Sequence, residues 1–358
     1  MPAKTMNQYK YAYTPDYAVP PGETLAEVIG KIGMSQKELA IRTGLTEQSI
    51  IRIIKGDQPI TYETAIKLEQ VTSVPARFWN NLEMQYREQL AKIEQEKELE
   101  RGIDWLQSIP SRELKEIGII DPKNNDKISI LREVYKFFGV SSVDAWKQIW
   151  KDPKVAARRS ACFESDPGAA SAWIRLGELA SREIECAPYN KDQFEKALNR
   201  IRDSVIKDGV DLDKMRNTCA QAGVAVAIVP GIRKAPWNGA SKWLTSDKAM
   251  ILLSTRGKSE DIFWFSFFHE AYHILYGKKQ RLYIATDNNK DPEEQKADRF
   301  AAERLIPERY NNRIRAIRTK NEVRALADEL AVSPGIVAGR FRYLTRKWNY
   351  FKDLTRSL

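Results

Sequence analysis

The stretch that most constrains this chain is residues 263–276, Phe-Trp-Phe-Ser-Phe-Phe-His-Glu-Ala-Tyr-His-Ile-Leu-Tyr. It contains His269-Glu270-Ala271-Tyr272-His273, an H-E-x-x-H pattern, and these are the only two histidines in the sequence. On a helix, residues i and i+4 stand one above the other on a single face. His269 and His273 can therefore hold one metal ion. Glu270, one residue on, reaches the side of the metal where a general base is needed. The neighbours are almost all apolar, which predicts a helix buried on most sides.

A catalytic metal site commonly has three protein ligands and a water. The third is sought in 291–307, Asp-Pro-Glu-Glu-Gln-Lys-Ala-Asp-Arg-Phe-Ala-Ala-Glu-Arg-Leu-Ile-Pro, where Pro292 suits a helix start and Pro307 marks its end. Glu294 and Asp298 share a face of that helix. Glu294 is expected to be the third ligand, and Asp298 is expected to take the free ring N–H of a ligand histidine and fix its orientation. Glu293 is the poorer choice, because the residue four beyond it is Ala297.

Composition narrows the class. A chain of 358 residues with 42% hydrophobic and 10% aromatic content predicts two or three folded domains. No apolar run is long enough to span a membrane, and the polar N-terminus lacks a signal-peptide core, so a cytoplasmic protein is expected. Cys162, Cys186 and Cys219 are widely spaced and odd in number, which fits free buried thiols. The net charge of +10 invites nucleic acid as a partner. It is unevenly spread: residues 1–90 hold ten basic and ten acidic side chains, residues 311–358 eleven against four. The basic C-terminal end reads as a solvated face.

The N-terminal region has helix punctuation. Thr24-Leu-Ala-Glu27 and Ser35-Gln-Lys-Glu38 read as capping boxes, Gly44 as a turn, Thr46 as a further cap and Gly56 as a stop. The spacing is that of a helix-turn-helix with Leu39, Ala40, Leu45, Ile50 and Ile53 at its core. Thr46, Glu47, Gln48, Ser49 and Arg52 lie where they can meet base edges in a major groove, with Gln36 and Lys55 (and Arg42) placed for phosphates. One such unit covers a half-site, so a homodimer on palindromic operator DNA is expected.

From Leu82 to about Arg101 the chain reads as a charged helical linker, with Leu82, Tyr86, Leu90 and Ile93 along one stripe. Residues 102–215 are periodically helical, with Trp105, Trp146, Trp150 and Trp173 as core anchors. Three strands, at 223–230, 239–244 and 249–254, precede the metal helix. The segment 239–244 is the candidate edge on which an extended peptide could pair. Two further helices, at 323–330 and 336–344, close the chain. The fold expected is mainly α with a C-terminal α+β domain: a helix-turn-helix domain at 1–88, a helical linker and middle domain at 89–215, and at 216–358 a small sheet packed on the H-E-x-x-H helix.

The residues quoted carry two resemblances. HEAYH followed by EEQKADRFAAERLIP resembles the ImmA/IrrE group of zinc metallopeptidases. Gln36, Ala40, Gly44, Leu45, Ile50 and Ile53 resemble the Cro/cI (XRE) pattern, and the segments 56–61 and 75–82 resemble HigA-type antitoxins. The first implies one zinc per chain on His269, His273 and Glu294 with Glu270 as base. Tyr276 departs from it, since many relatives have a further histidine there. Together they imply a DNA-binding transcriptional regulator, a HigA-like antitoxin or stress repressor, carrying a zinc metallopeptidase domain. The alternative is primarily a site-specific metallo-endopeptidase that cuts a repressor or toxin protein. Tyr272 and Tyr276 are candidate oxyanion donors, though aromatic packing explains them as well.

Overall fold

The computed structural model describes residues 17–151, 166–205, 211–255, 259–279, 281–284 and 291–357. Cys162, expected as a buried thiol, lies outside them. The chain divides into two compact units, Met1–Arg101 and Gly102–Leu358.

In the first unit, α1 (Pro21–Lys31), α2 (Gln36–Thr43), α3 (Glu47–Ile54), α4 (Tyr62–Thr72) and the start of α5 (Ala76–Gly102) enclose Leu25, Leu39, Ala40, Ile50, Ile53, Leu68 and Trp79. Leu45 packs against this core half-buried. Polar side chains end the helices where the backbone has unpaired N–H groups. Ser35 accepts from Glu38 N–H at 3.1 Å and Thr46 from Ser49 N–H at 3.1 Å. Gly44 takes φ +68, the left-handed conformation that turns α2 into α3. Two details differ from the sequence reading. Thr24 caps nothing, because α1 already begins at Pro21, whose missing N–H suits the first helical position. The Ser35 box is half formed, because the Glu38 carboxylate turns to Arg42 at 2.6 Å. Leu82, Tyr86, Leu90 and Ile93 are all half-buried along α5.

The second unit is built on a four-stranded sheet of β1 (Val224–Val229), β2 (Gly239–Trp243), β3 (Ala249–Ser254) and β4 (Tyr283–Ile284), in the order β1-β3-β2-β4. β1 runs parallel to β3; β2 is antiparallel to β3 and to β4. Successive side chains of a strand point to opposite faces, and both faces here are covered, which is why β1 and β3 read as nearly unbroken apolar runs. Ala227, Val229, Ala240, Met250 and Leu252 join Phe138, Trp146, Trp150 and Trp173 of the helices that precede the sheet, which are α6 (Ser111–Glu116), α7 (Lys127–Phe138), α8 (Val143–Lys151), α9 (Pro167–Arg182), α10 (Lys191–Arg200) and α11 (Leu212–Ala220). Val224, Val226, Ala249, Ile251 and Leu253 join the H-E-x-x-H helix α12 (Glu260–Tyr276) and the C-terminal helices. The tryptophans of the middle region are thus core anchors, as expected, and Trp105 meets Trp146 edge-on at 5.1 Å. The strand β4 has no counterpart in the sequence reading. Its two residues pair with Ala240 and Ser241, so β2 lies inside the sheet and 239–244 is not its free edge.

Beyond the sheet come α12 (Glu260–Tyr276), α13 (Pro292–Leu305), α14 (Asn311–Ala316), α15 (Lys320–Leu330) and α16 (Pro334–Thr345). The chain end returns to the start of α12: Glu260 N–H donates to Arg356 O at 3.1 Å and Arg356 N–H to Glu260 Oε1 at 3.0 Å. Cys186 is half-buried and Cys219 buried, both as free thiols, and burial raises the pKa of each. No helix among the described residues is long and apolar enough to cross a membrane.

Candidate metal centre and DNA-reading helix

α12 is buried around most of its circumference, including His269, Glu270 and His273. α13 packs beside it, begun by Asp291, whose carboxylate accepts from Glu293 N–H at 2.8 Å, and by Pro292. The pairing brings His269, His273 and Glu294 together, with one ligand atom from each within 4.8 Å of the others. His269 Nε2 lies 3.1 Å from Glu294 Oε2, His273 Nε2 lies 3.4 Å from Glu294 Oε1, and the two Nε2 atoms are 3.3 Å apart. Two imidazole nitrogens converging on one carboxylate in a buried site call for a cation among them, and this donor set suits zinc. The other nitrogen of His269, Nδ1, meets Asp298 Oδ1 at 2.9 Å, the orienting contact expected of Asp298. The ring of His273 is stacked on Tyr283 of β4, with centroids 4.1 Å apart and 12° between planes.

The electrostatics separate the two central carboxylates. Burial pushes Glu270 up, against the pull of His269 and His273. Burial would raise Glu294 too, but hydrogen bonds from both histidines outweigh it and hold that carboxyl down at about 2. Burial alone would lower His269; the bonds to Asp298 and Glu294 instead raise it to about 10. A cation, whether proton or metal, is strongly favoured among these groups.

Sequence reasoning missed what holds Glu270. Ser241 Oγ donates to Glu270 Oε2 at 2.6 Å, both groups fully buried, and Glu270 Oε1 has no hydrogen-bond partner among the described residues. Gly239, two residues earlier on the same face of β2, leaves room: a Cβ there would stand 2.8 Å from Glu270 Oε1. No periodicity announces this, because β2 and α12 meet through the fold alone. Glu293 turns away from the histidines, pairing with Arg281 at 2.9 Å and accepting from the Tyr283 hydroxyl at 3.0 Å. The Tyr276 hydroxyl donates to Glu195 at 3.3 Å, and the Tyr272 ring packs on Phe300 and Tyr276. Both tyrosines are therefore accounted for by contacts away from Glu270.

In the first unit, Gln36, Thr46, Glu47, Gln48, Arg52 and Lys55 are exposed and Ser49 is half-buried. Thr46 also donates its hydroxyl to Ser49 Oγ at 2.9 Å, which commits that pair to the cap of α3. Glu47, Gln48, Arg52 and Lys55 project from α3 itself or its C-cap. Ile51, absent from the sequence reading, adds a 37% exposed apolar side chain beside them.

Comparison with known proteins divides the chain in the same way. Residues 25–79 match the family model described as helix-turn-helix, and residues 222–342 match the IrrE N-terminal-like domain of the M78 peptidases. No curated protein matches the chain. Among solved structures, an addiction-module antidote protein of the HigA family from Coxiella burnetii is 30% identical over 24% of this chain and 92% of its own, with a TM-score of 0.22. A plasmid-maintenance antidote protein from Nostoc punctiforme is 26% identical over 24% of this chain and 92% of its own, TM-score 0.23. The Pseudomonas aeruginosa antitoxin HigA with higBA promoter is 26% identical over 24% and 94%, TM-score 0.22. These likenesses are confined to about a quarter of the chain. The chain thus carries an XRE-type helix-turn-helix domain at 25–79 and an IrrE N-terminal-like domain of the M78 peptidase family at 222–342.

Proposed function

We propose that this protein is an operator-binding repressor of the HigA-like antitoxin or stress-response kind, and that its second unit is a zinc-dependent endopeptidase acting on a repressor or toxin protein. The observation that carries the second part is the convergence of His269, His273 and Glu294 beside a buried Glu270. His269, His273 and Glu294 would hold the ion. Zinc in such a set supplies Lewis acidity toward a water and a substrate carbonyl. Glu270, held at one oxygen by Ser241, has its other oxygen free to take the proton of the attacking water and return it to the leaving amine. Asp298 keeps the His269 ring in the tautomer that presents Nε2. Glu47, Gln48 and Arg52 would read bases, Gln36 and Lys55 would meet phosphates, and a dimer would place two copies of α3 on a palindrome.

Metal analysis by mass spectrometry tests the site. The wild type should hold about one zinc per chain, and His269→Ala and Glu294→Ala should lose it. Glu270→Gln should keep the metal and abolish cleavage of the co-expressed partner. A wild-type protein that takes up no zinc when supplied with it would reduce the protein to its DNA-binding role.

A further inference from the structure

The C-terminal end of the second unit has a surface unlike the rest of it. Residues 331–358 contain six basic side chains, Arg340, Arg342, Arg346, Lys347, Lys352 and Arg356, against one acid, Asp353. That acid is engaged by Lys320 at 2.7 Å. Arg342 is turned inward onto Asp261 at 2.8 Å, whereas Arg346, Lys347, Lys352 and Arg356 are exposed.

Three large aromatic rings stand among these cations with half their surface in water: Tyr343 at 51%, Trp348 at 55% and Tyr350 at 51%. The backbone keeps them at one end of α16. Arg346 takes φ +58 and ends the helix, Tyr350 N–H donates to Lys347 O at 3.2 Å, and the Tyr350 ring packs against Phe341 at 6.2 Å. Arg340 and Arg346 lie 5.6 and 5.1 Å from the centre of the Tyr343 ring, and Lys347 lies 5.4 Å from that of Tyr350.

The kind of apolar surface matters. After Tyr276, the exposed large hydrophobic residues among those described are these three and no aliphatic one. Tyr, Trp and Arg also occur at protein interfaces and on membrane-surface helices, but there an apolar centre is buried, whereas here no exposed Leu, Ile or Phe among the described residues stands beside the rings and the cations lie over the rings themselves. Rings with polar edges, set between long cations, match nucleobases joined by phosphates. The bases must be unstacked to meet such rings, which a duplex does not offer.

We propose that this end of α16 binds single-stranded nucleic acid. Tyr343, Trp348 and Tyr350 stack on bases, and the exposed Arg346 and Lys347 meet the phosphates, while Arg340, half-buried and bonded to Asn311 at 3.1 Å, supports the Tyr343 ring. The site is separate from α3, which faces duplex DNA, and from the metal centre. Single-stranded DNA and RNA share this chemistry.

The test uses the full-length protein and fluorescence anisotropy with labelled dT20, U20 and a twenty-base-pair duplex. Replacing Tyr343, Trp348 and Tyr350 together by Ala should weaken binding of the single strands at least about tenfold and leave the duplex unaffected. Arg52→Ala should do the reverse. Charge reversal with the rings intact, Arg346→Glu with Lys347→Glu, should also weaken single-strand binding, so a folding defect in one variant cannot mimic the result. The ratio of dT20 to U20 affinity identifies the preferred sugar. Failure of the wild type to bind either single strand would overturn the proposal, as would a triple variant that binds like wild type. So would ring-dependent binding to phosphatidylserine vesicles, or ring-dependent self-association in sedimentation, in place of single-strand binding.

Discussion

Glu270 and Glu294 sit in one small site and are tuned in opposite directions. Both are desolvated, but only Glu294 receives hydrogen bonds from the two histidines, so it is held ionised at about 2 while Glu270 is pushed up. This split suits the proposed roles, since a carboxyl ligand must be ionised and a base that later returns its proton works best nearer neutrality. The cluster of His269, His273 and Glu294, with Asp298 beside it, was legible in the sequence because helical spacing of four residues pairs His269 with His273 and Glu294 with Asp298. Ser241, Gly239 and Tyr283 were not, since each reaches the site through strand pairing that no local pattern encodes. Asp298 gives the sharpest test at this scale. It is partly exposed and its contact is a single one, at 2.9 Å to His269 Nδ1. Asp298→Asn should retain the fold and weaken zinc binding about ten- to a hundredfold. Competition against a chromophoric chelator would measure it; unchanged affinity would mean that the ring needs no such support.

The helix-turn-helix recurs within the second unit. Gly44 N–H donates to Ala40 O and Ile41 O, and the next residue, Leu45, donates to Ala40 O at 3.0 Å. Ala331 N–H likewise donates to Ala327 O and Asp328 O, and Val332 to Ala327 O at 3.0 Å. Leu39-Ala40 and Leu326-Ala327 hold equivalent places, as do the N-cap positions Thr46 and Ser333, of which only Thr46 makes a side-chain cap hydrogen bond. The outcome differs with burial. The first turn of α3 exposes Glu47 and Gln48, whereas α16 buries Gly335, Ile336, Val337 and Ala338 in its own unit. The repeat therefore serves packing, and α3 alone is open to a groove. The two helices 323–330 and 336–344 were legible from periodicity. Their kinship with α2 and α3 was hidden because Ala331 stands where Gly44 announces the turn. That substitution has a thermodynamic consequence. Ala331 adopts φ +50, where a Cβ is disfavoured. Ala331→Gly should stabilise the second unit by about 1 kcal/mol, and Gly44→Ala should destabilise the first by a similar amount. Thermal unfolding of the two variants checks both signs. A fall in stability for Ala331→Gly would show that its methyl group has packing value beyond the backbone cost.

At the scale of the whole molecule, the sequence conveys the order of parts more readily than their cores. Caps and a turn glycine mark a helix-turn-helix at one end, and the H-E-x-x-H motif marks a candidate metal-binding helix near the other. The tryptophan-rich helices between them give no chemical signal, because their task is to cover one face of the sheet whose other face carries α12. The hydrophobic core of the first unit is a cluster of its own, whose buried members lie between Leu25 and Trp79. Those of the second form the two clusters on the sheet, and α12 and α13 contribute to only one of them. A metal on His269, His273 and Glu294 ties α12 to α13 and so stabilises the folded second unit by mass action, by about 4 kcal/mol at a thousandfold excess over its dissociation constant. Stripping the ion with a chelator should lower the melting of residues 102–358 by about 10 °C and leave that of the smaller unit where it was. Hydrogen exchange followed by peptide mass spectrometry during heating resolves the two. Protection lost equally from α3 and α12 on chelation would mean that the units melt together, and that occupancy of the metal site reaches the DNA-reading helix.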